Sequence, residues 1–132
     1  MHLPISSTKK KEVIDITNKV QEILQLHSIQ QGVCVLFVKN TTACLTTANL
    51  DPGTDLDMLD AFAKLIPTLP YRHPHNPKHA PDHILSSLIG PSVTIPIIDG
   101  ELALGTWQRI VLIDLDGPRE RDILIQVLQS SN

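Results

Sequence analysis

Aromatic residues are nearly missing from this chain: it has one Trp, one Tyr and two Phe in 132 residues. That leaves little ring surface on which bases could stack, which argues against a single-stranded nucleic-acid binder. Basic charge is not in excess either. The formal net charge is −3, so no global positive field attracts nucleic acid or anionic lipid. The one basic run, Lys9-Lys10-Lys11, is closely followed by Glu12 and Asp15 and reads as a solvated strand end. Long apolar runs are absent too. No window approaches the ~18 residues that span a bilayer. Met1-His2-Leu3-Pro4 lacks the basic and apolar parts of a signal peptide, so the expected location is the cytoplasm. Cysteine is scarce, with only Cys34 and Cys44 and no CxxC or zinc spacing. In a reducing compartment these are expected as buried free thiols, with a disulfide between neighbouring strands as the alternative.

What is present is a globular composition, 42% apolar and 19% charged, in a chain of one-domain length. The expectation is a single domain over residues 1–132. With so few rings, its core must be built from Ile, Leu and Val, which suits a sheet-rich fold.

Lys10 to Ile16 is a strand candidate, and Thr17 can cap a following helix over residues 18–29, where Val20, Ile23, Leu24 and His27 keep helical spacing. Gln31-Gly32 is the expected stop. Val33–Val38 is a continuous apolar run, as in a strand covered on both faces. A threonine-rich segment, residues 40–47, leads to the turn Asp51-Pro52-Gly53 and a second helix carrying Leu56, Leu59, Phe62 and Ala63. Residues 71–83 hold three prolines and four histidines, which excludes a central strand or long helix there. Ile84–Leu88 reads as a short apolar element, and Gly90-Pro91 turns the chain. Strands are then expected at Val93–Ile98, Leu102–Leu104, Trp107–Leu115 and Ile123–Leu128, with Asp99-Gly100 as a hairpin turn. The class is α+β, with two main helices and a largely antiparallel sheet.

Candidate chemistry sits in three places. His73, His75, His79 and His83 fall within eleven residues. Imidazoles bind transition metals and exchange protons near neutrality, but the spacing fits neither HxxxH nor a zinc finger. A solvated loop remains the alternative. His83 opens the apolar element and is expected to be held rigidly beside Ser86, Ser87 and Gly90, where hydroxyls and amides can hold an anion. Gly105-Thr106-Trp107-Gln108 is either a ligand platform or a packing surface. Asp116-Gly117-Pro118-Arg119 projects an arginine able to fork onto phosphate.

Three blocks in order make the chain resemble the YjbQ-like family, also called the secondary thiamine-phosphate synthase family. They are Asn40-Thr41-Thr42-Ala43-Cys44-Leu45-Thr46; His73 followed by His83-Ile84-Leu85-Ser86-Ser87-Leu88-Ile89-Gly90; and Gly105–Gln108 followed by Asp116–Arg119. The resemblance spans nearly the whole chain. It implies a small β-sandwich with packed helices that assembles as a homotrimer, with a pocket where histidines and hydroxyls converge. It also implies thiamine-phosphate synthase activity, a transferase reaction joining a pyrimidine methyl diphosphate to a thiazole phosphate. On that reading His83 and His73 are catalytic, or ligands of a divalent metal ion. Asn40, Thr41, Thr42, Ser86, Ser87, Thr106, Trp107, Gln108 and Arg119 bind a small phosphorylated molecule. The sequence departs from the family pattern at Asn40, where a histidine is usual. It departs again at Thr47-Ala48-Asn49, where an acidic residue is usual, and at Gly53-Thr54, where an arginine usually follows Asp-Pro. These departures support an alternative: a non-catalytic trimeric module that binds a small anion or metal.

Overall fold

The computed structural model describes residues 1–74 and 76–130. Among these residues, eight strands form two antiparallel sheets. The larger sheet has the order β1 (His2–Ser6), β8 (Glu120–Gln129), β3 (Gly32–Val38), β5 (Ser92–Ile98) and β6 (Glu101–Leu102). The smaller one has the order β2 (Glu12–Asp15), β7 (Arg109–Asp114) and β4 (Ala43–Ala48). Three α-helices accompany them: α1 (Thr17–Leu26), α2 (Thr54–Leu65) and α3 (Ala80–Ile89), with one 3₁₀ turn at Pro77–His79.

Packing follows the period of two along each strand. Cys34, Leu36, Ile123 and Ile125 of the larger sheet meet Leu45, Ile110 and Leu112 of the smaller one, with Val20 and Leu24 of α1 closing the same core. The alternate residues of β7, Val111 and Ile113, face the other way with Cys44, under Leu85 of α3 and Leu59 and Phe62 of α2. This is the expected sandwich with helices packed against it. The smaller sheet, not the larger, is covered on both faces.

Several local expectations change. The strand buried on both sides is β7; β3 exposes Phe37 while burying Cys34, Leu36 and Val38. β1 is a further strand, and Pro4 is tolerated there because β1 is an edge with β8 as its one neighbour. Thr17 opens α1 rather than capping it. Its hydroxyl donates to Asp15 Oδ1 (2.7 Å) and accepts from the Ile110 amide (2.8 Å). α1 stops at Leu26, and Ser28 takes the left-handed turn (φ 53°). Gly32 instead begins β3, where a Cβ would lie 2.2 Å from the Leu128 carbonyl oxygen. There are three α-helices rather than two main ones, because α3 begins inside the histidine-rich stretch. Pro81 sits in its first turn, where the missing N–H has no intrahelical role. The hairpin at Asp99-Gly100 forms as expected, with positive φ at both residues (52° and 79°).

Both cysteines are free and buried. They lie in different cores, Cys34 between the sheets and Cys44 under the helices. Burial pushes the Cys34 thiol up to about 11. Burial, aided by the Asp114 charge, pushes Cys44 to about 12. Among the described residues, no helix is long and apolar enough to cross a membrane.

Candidate functional site

The crossing from β3 to β4 is the scaffold of the site. Asp114, at the end of β7, is fully buried and takes two hydrogen bonds from Arg121, from Nε at 3.1 Å and from Nη2 at 2.8 Å. The Ser7 hydroxyl and the Asp116 amide donate to the same carboxylate at 2.7 and 3.0 Å. Burial alone would raise the Asp114 pKa, but these donors and the Arg121 charge outweigh it and hold the carboxyl below its ordinary 3.8. Arg121 also donates to Thr42 Oγ1 (3.0 Å), and the Thr42 carbonyl accepts from the Leu115 amide (2.9 Å). The Asn40–Thr42 segment is therefore pinned from below by a buried network.

Above that segment lies His83, in the first turn of α3. Its Nδ1 is 3.0 Å from the Thr41 carbonyl oxygen. A carbonyl can only accept, so Nδ1 carries the proton and Nε2 is the nitrogen left for a ligand. The His73 ring packs against His83, with centroids 4.8 Å apart and planes at 54°. Asn40, Thr41, His83, Ser86, Ser87 and Pro91 line a cleft of about 240 Å³. Ser86 is only 6% exposed, and its buried hydroxyl has no hydrogen-bond partner among the described residues.

α3 is anchored at both ends. Asp82, buried in its first turn, accepts from Lys11 Nζ (2.6 Å). At the other end the Gly90 carbonyl accepts from the Leu45 amide (3.1 Å) and the Pro91 carbonyl from the Val38 amide (2.9 Å), one bond to each sheet.

The residues expected to bind a phosphorylated molecule divide into separate groups. Asn40, Thr41, Ser86 and Ser87 share the cleft with His83. Thr42 does not line it: its side chain is buried and its hydroxyl is held by Arg121. Arg119 does not line it either. Its guanidinium donates to Asp116 (3.1 Å), a carboxylate that also holds Lys10. Lys10 hydrogen bonding, with the charges of Arg119 and His79, keeps the Asp116 pKa low against the opposing effect of burial. Thr106, Trp107 and Gln108 lie elsewhere, with Thr47, Ala48, Asn49 and Gly105, around an open depression of about 450 Å³. The β4–β7 register runs from Ala43↔Asp114 to Ala48↔Arg109. The two places are therefore at opposite ends of one ladder, about 17 Å apart at ~3.4 Å per residue.

Among the described residues, the donors do not make up a divalent-metal site. His73 and His83 adjoin, but among the described residues no group of three or more His, Cys, Asp or Glu side chains comes together. A protein metal site ordinarily needs three or four such ligands, and Asn40 stands where a further imidazole would help. His79 is at the start of α3 near Asp116, and His75 lies outside the described residues.

Sequence reasoning missed Asp114, Arg121, Asp82 and Lys11 as supports. The signal for Arg121 was readable, since it shares strand parity with the inward-facing Ile123 and Ile125.

A two-sheet α+β sandwich carrying a His-Thr-Ser cleft where its sheets and third helix meet is a recognisable type of protein. The family model for "UPF0047 protein YjbQ-like" matches residues 1–130, and the chain belongs to that family. A UPF0047 protein of Archaeoglobus fulgidus is 34% identical over 129 residues, covering 97% of this chain and 100% of the relative. UPF0047 protein YugU of Bacillus subtilis is 36% identical, covering 96% of each chain. A hypothetical protein from Aeropyrum pernix K1 superposes with a TM-score of 0.92 at 32% identity, covering 98% of each chain. A YbjQ-like protein of unknown function from Sulfolobus solfataricus P2 also gives 0.92, at 30% identity, covering 98% of this chain and 96% of that one.

Proposed function

We propose that the His83 cleft is the working site of a small-molecule transferase acting on phosphorylated heterocycles, of the thiamine-phosphate synthase type, in the cytosol. One observation carries the reading. The Thr41 carbonyl fixes the proton on His83 Nδ1, which presents Nε2 at a cleft that also contains the unpartnered hydroxyl of Ser86. Such an imidazole accepts a proton at Nε2 when neutral and donates from it when charged.

In the proposed reaction, the C–O bond between the pyrimidine methylene and its diphosphate breaks, and the electron pair leaves with diphosphate. The thiazole nitrogen lone pair forms the new C–N bond, giving the thiazolium cation. Charged His83 donates its Nε2 proton to the departing phosphate oxygen. Hydroxyls of Thr41 and Ser87 and the Asn40 amide orient the two substrates. The homotrimer belongs to the same proposal, and sedimentation of the purified chain measures it.

The test is product formation from the two precursors. Wild type is expected to make thiamine phosphate, and His83→Ala to lose roughly 10²–10⁴-fold of the rate, the usual contribution of a general acid, while keeping its melting temperature. Equal rates in the two proteins would end the reading.

A second reading, a non-catalytic trimeric module that binds a small anion or metal, draws on one specific feature. Asn40 borders the cleft and cannot exchange a proton near neutrality. Asn40→His discriminates between the readings: a transferase should gain rate, and a binding module should gain none.

A further inference from the structure

The cleft is not isolated. On its far side Phe37, Val38, Lys39, Asn40, Thr41 and Pro91 line a second depression of about 470 Å³. It shares Asn40, Thr41 and Pro91 with the His83 cleft. The period of two in β3 explains what this second half displays. Val38 is buried, so Phe37 and Lys39, its neighbours on either side, face outward together.

Charge separates Lys39 from the other cations nearby. Lys10 and Arg119 are bound to Asp116, Lys11 to Asp82, and Arg121 to Asp114. Lys39 has no hydrogen bond or ion pair among the described residues, and it is the one charged side chain, apart from the titratable His83, on either lining. The cleft proper offers hydroxyls, an amide and an imidazole, a set that hydrogen-bonds a polar group but supplies no permanent positive charge. Ser86 is an independent sign of a ligand: its hydroxyl is buried and has no partner among the described residues, a state that native proteins rarely leave unfilled.

We propose that the two depressions are halves of one ligand site. Lys39 holds an anionic phosphate or diphosphate group, Phe37 covers the ligand's apolar body, and the far end of the molecule reaches Ser86 and His83. The ligand class is then an elongated phosphate ester or diphosphate, anchored by its charged end outside the cleft. Joined, the depressions enter the ~300–1,000 Å³ range of small-molecule sites. This rests on the reading of the His83 cleft as a site for phosphorylated molecules. It adds the cation which that cleft lacks and assigns the anchoring role to Lys39 instead of Arg119.

Backbone-amide NMR during titration with pyrophosphate, at constant ionic strength, tests it. Saturable shifts are expected at Lys39, Asn40 and Thr41. Lys39→Gln should weaken the apparent affinity about tenfold or more, the usual effect of losing a charge-assisted hydrogen bond. Lys39→Arg should keep most of it. Three results would overturn the proposal: no saturable shift in wild type, unchanged affinity in Lys39→Gln, or parallel shifts at Lys19 and Lys64 that mark non-specific screening. Because the probe is binding and not turnover, an inactive His83 cleft would leave the Lys39 result standing, and the converse also holds.

Discussion

The two ends of the β4–β7 ladder lie by two of the three places that stood out in the sequence, and they treat their polar atoms differently. At the Trp107 end the groups satisfy one another. Gln108 Oε1 accepts from the Gly105 amide and its Nε2 donates to Thr47 Oγ1, both at 3.0 Å. Trp107 itself stands 71% exposed. At the His83 end a buried network holds the backbone from below, while the upper surface is left incomplete, with a buried hydroxyl unpartnered and one imidazole nitrogen to spare. The first arrangement fixes a turn. The second is rigid underneath and unfinished on top.

The largest expected effect comes from removing that support. Arg121→Ala leaves the Asp114 carboxylate buried without its partner, which costs about 3–5 kcal/mol. A fall of that size in the free energy of denaturant unfolding is expected, together with loss of pyrophosphate binding as the Asn40–Thr42 segment loosens. If the variant proved as stable as wild type, the contrast between the two ends would collapse.

Acid makes the same point more gently. The Asp114 carboxyl is held below its ordinary 3.8 in the folded chain, so the unfolded chain binds its proton first as pH falls. That stabilisation is complete above about pH 5, starts to be lost as pH drops through the ordinary carboxylate value, and is gone below the lowered folded value. Melting temperature recorded from pH 6 to 2 should fall steeply for wild type. Asp114→Asn should be less stable at neutral pH and flatter over that range.

The smallest effects belong to single side chains on either end. Ser86→Ala removes a buried hydroxyl that has no partner, so stability should hold or rise by up to about 1 kcal/mol while ligand affinity falls. Trp107→Ala should change stability by no more than about 0.5 kcal/mol, as at other exposed positions, and leave pyrophosphate affinity unchanged. A large loss of affinity in Trp107→Ala would show that both ends serve one ligand.

Much of the fold was legible because its cues are local. Apolar runs set between turn signals placed β5, β7 and β8 to within a few residues, and Asp99-Gly100 marked its hairpin. β1 escaped because Pro4 argues against a strand unless one already knows that the strand is an edge. α3 escaped because Pro81 argues against a helix unless it falls in the first turn. The ends of elements depended on partners far along the chain. Gly32 looked like a helix stop, but its lack of a Cβ serves the approach of Leu128. The grouping of His83 with Thr41 and the serines followed from the motif order. Nothing local, however, could show that Arg119 would be spent on Asp116 or that Thr42 would turn inward. Lys39 was invisible for the opposite reason, since an unpaired lysine means little until its neighbours are seen to be paired.

The double tether at Gly90-Pro91 has a dynamic consequence. The carboxyl end of α3 is tied to one strand in each sheet, so the wall bearing Ser86 and Ser87 cannot swing without tearing both β3 and β4 from their neighbour in the chain. The cleft thus has one wall that is a fixed jamb.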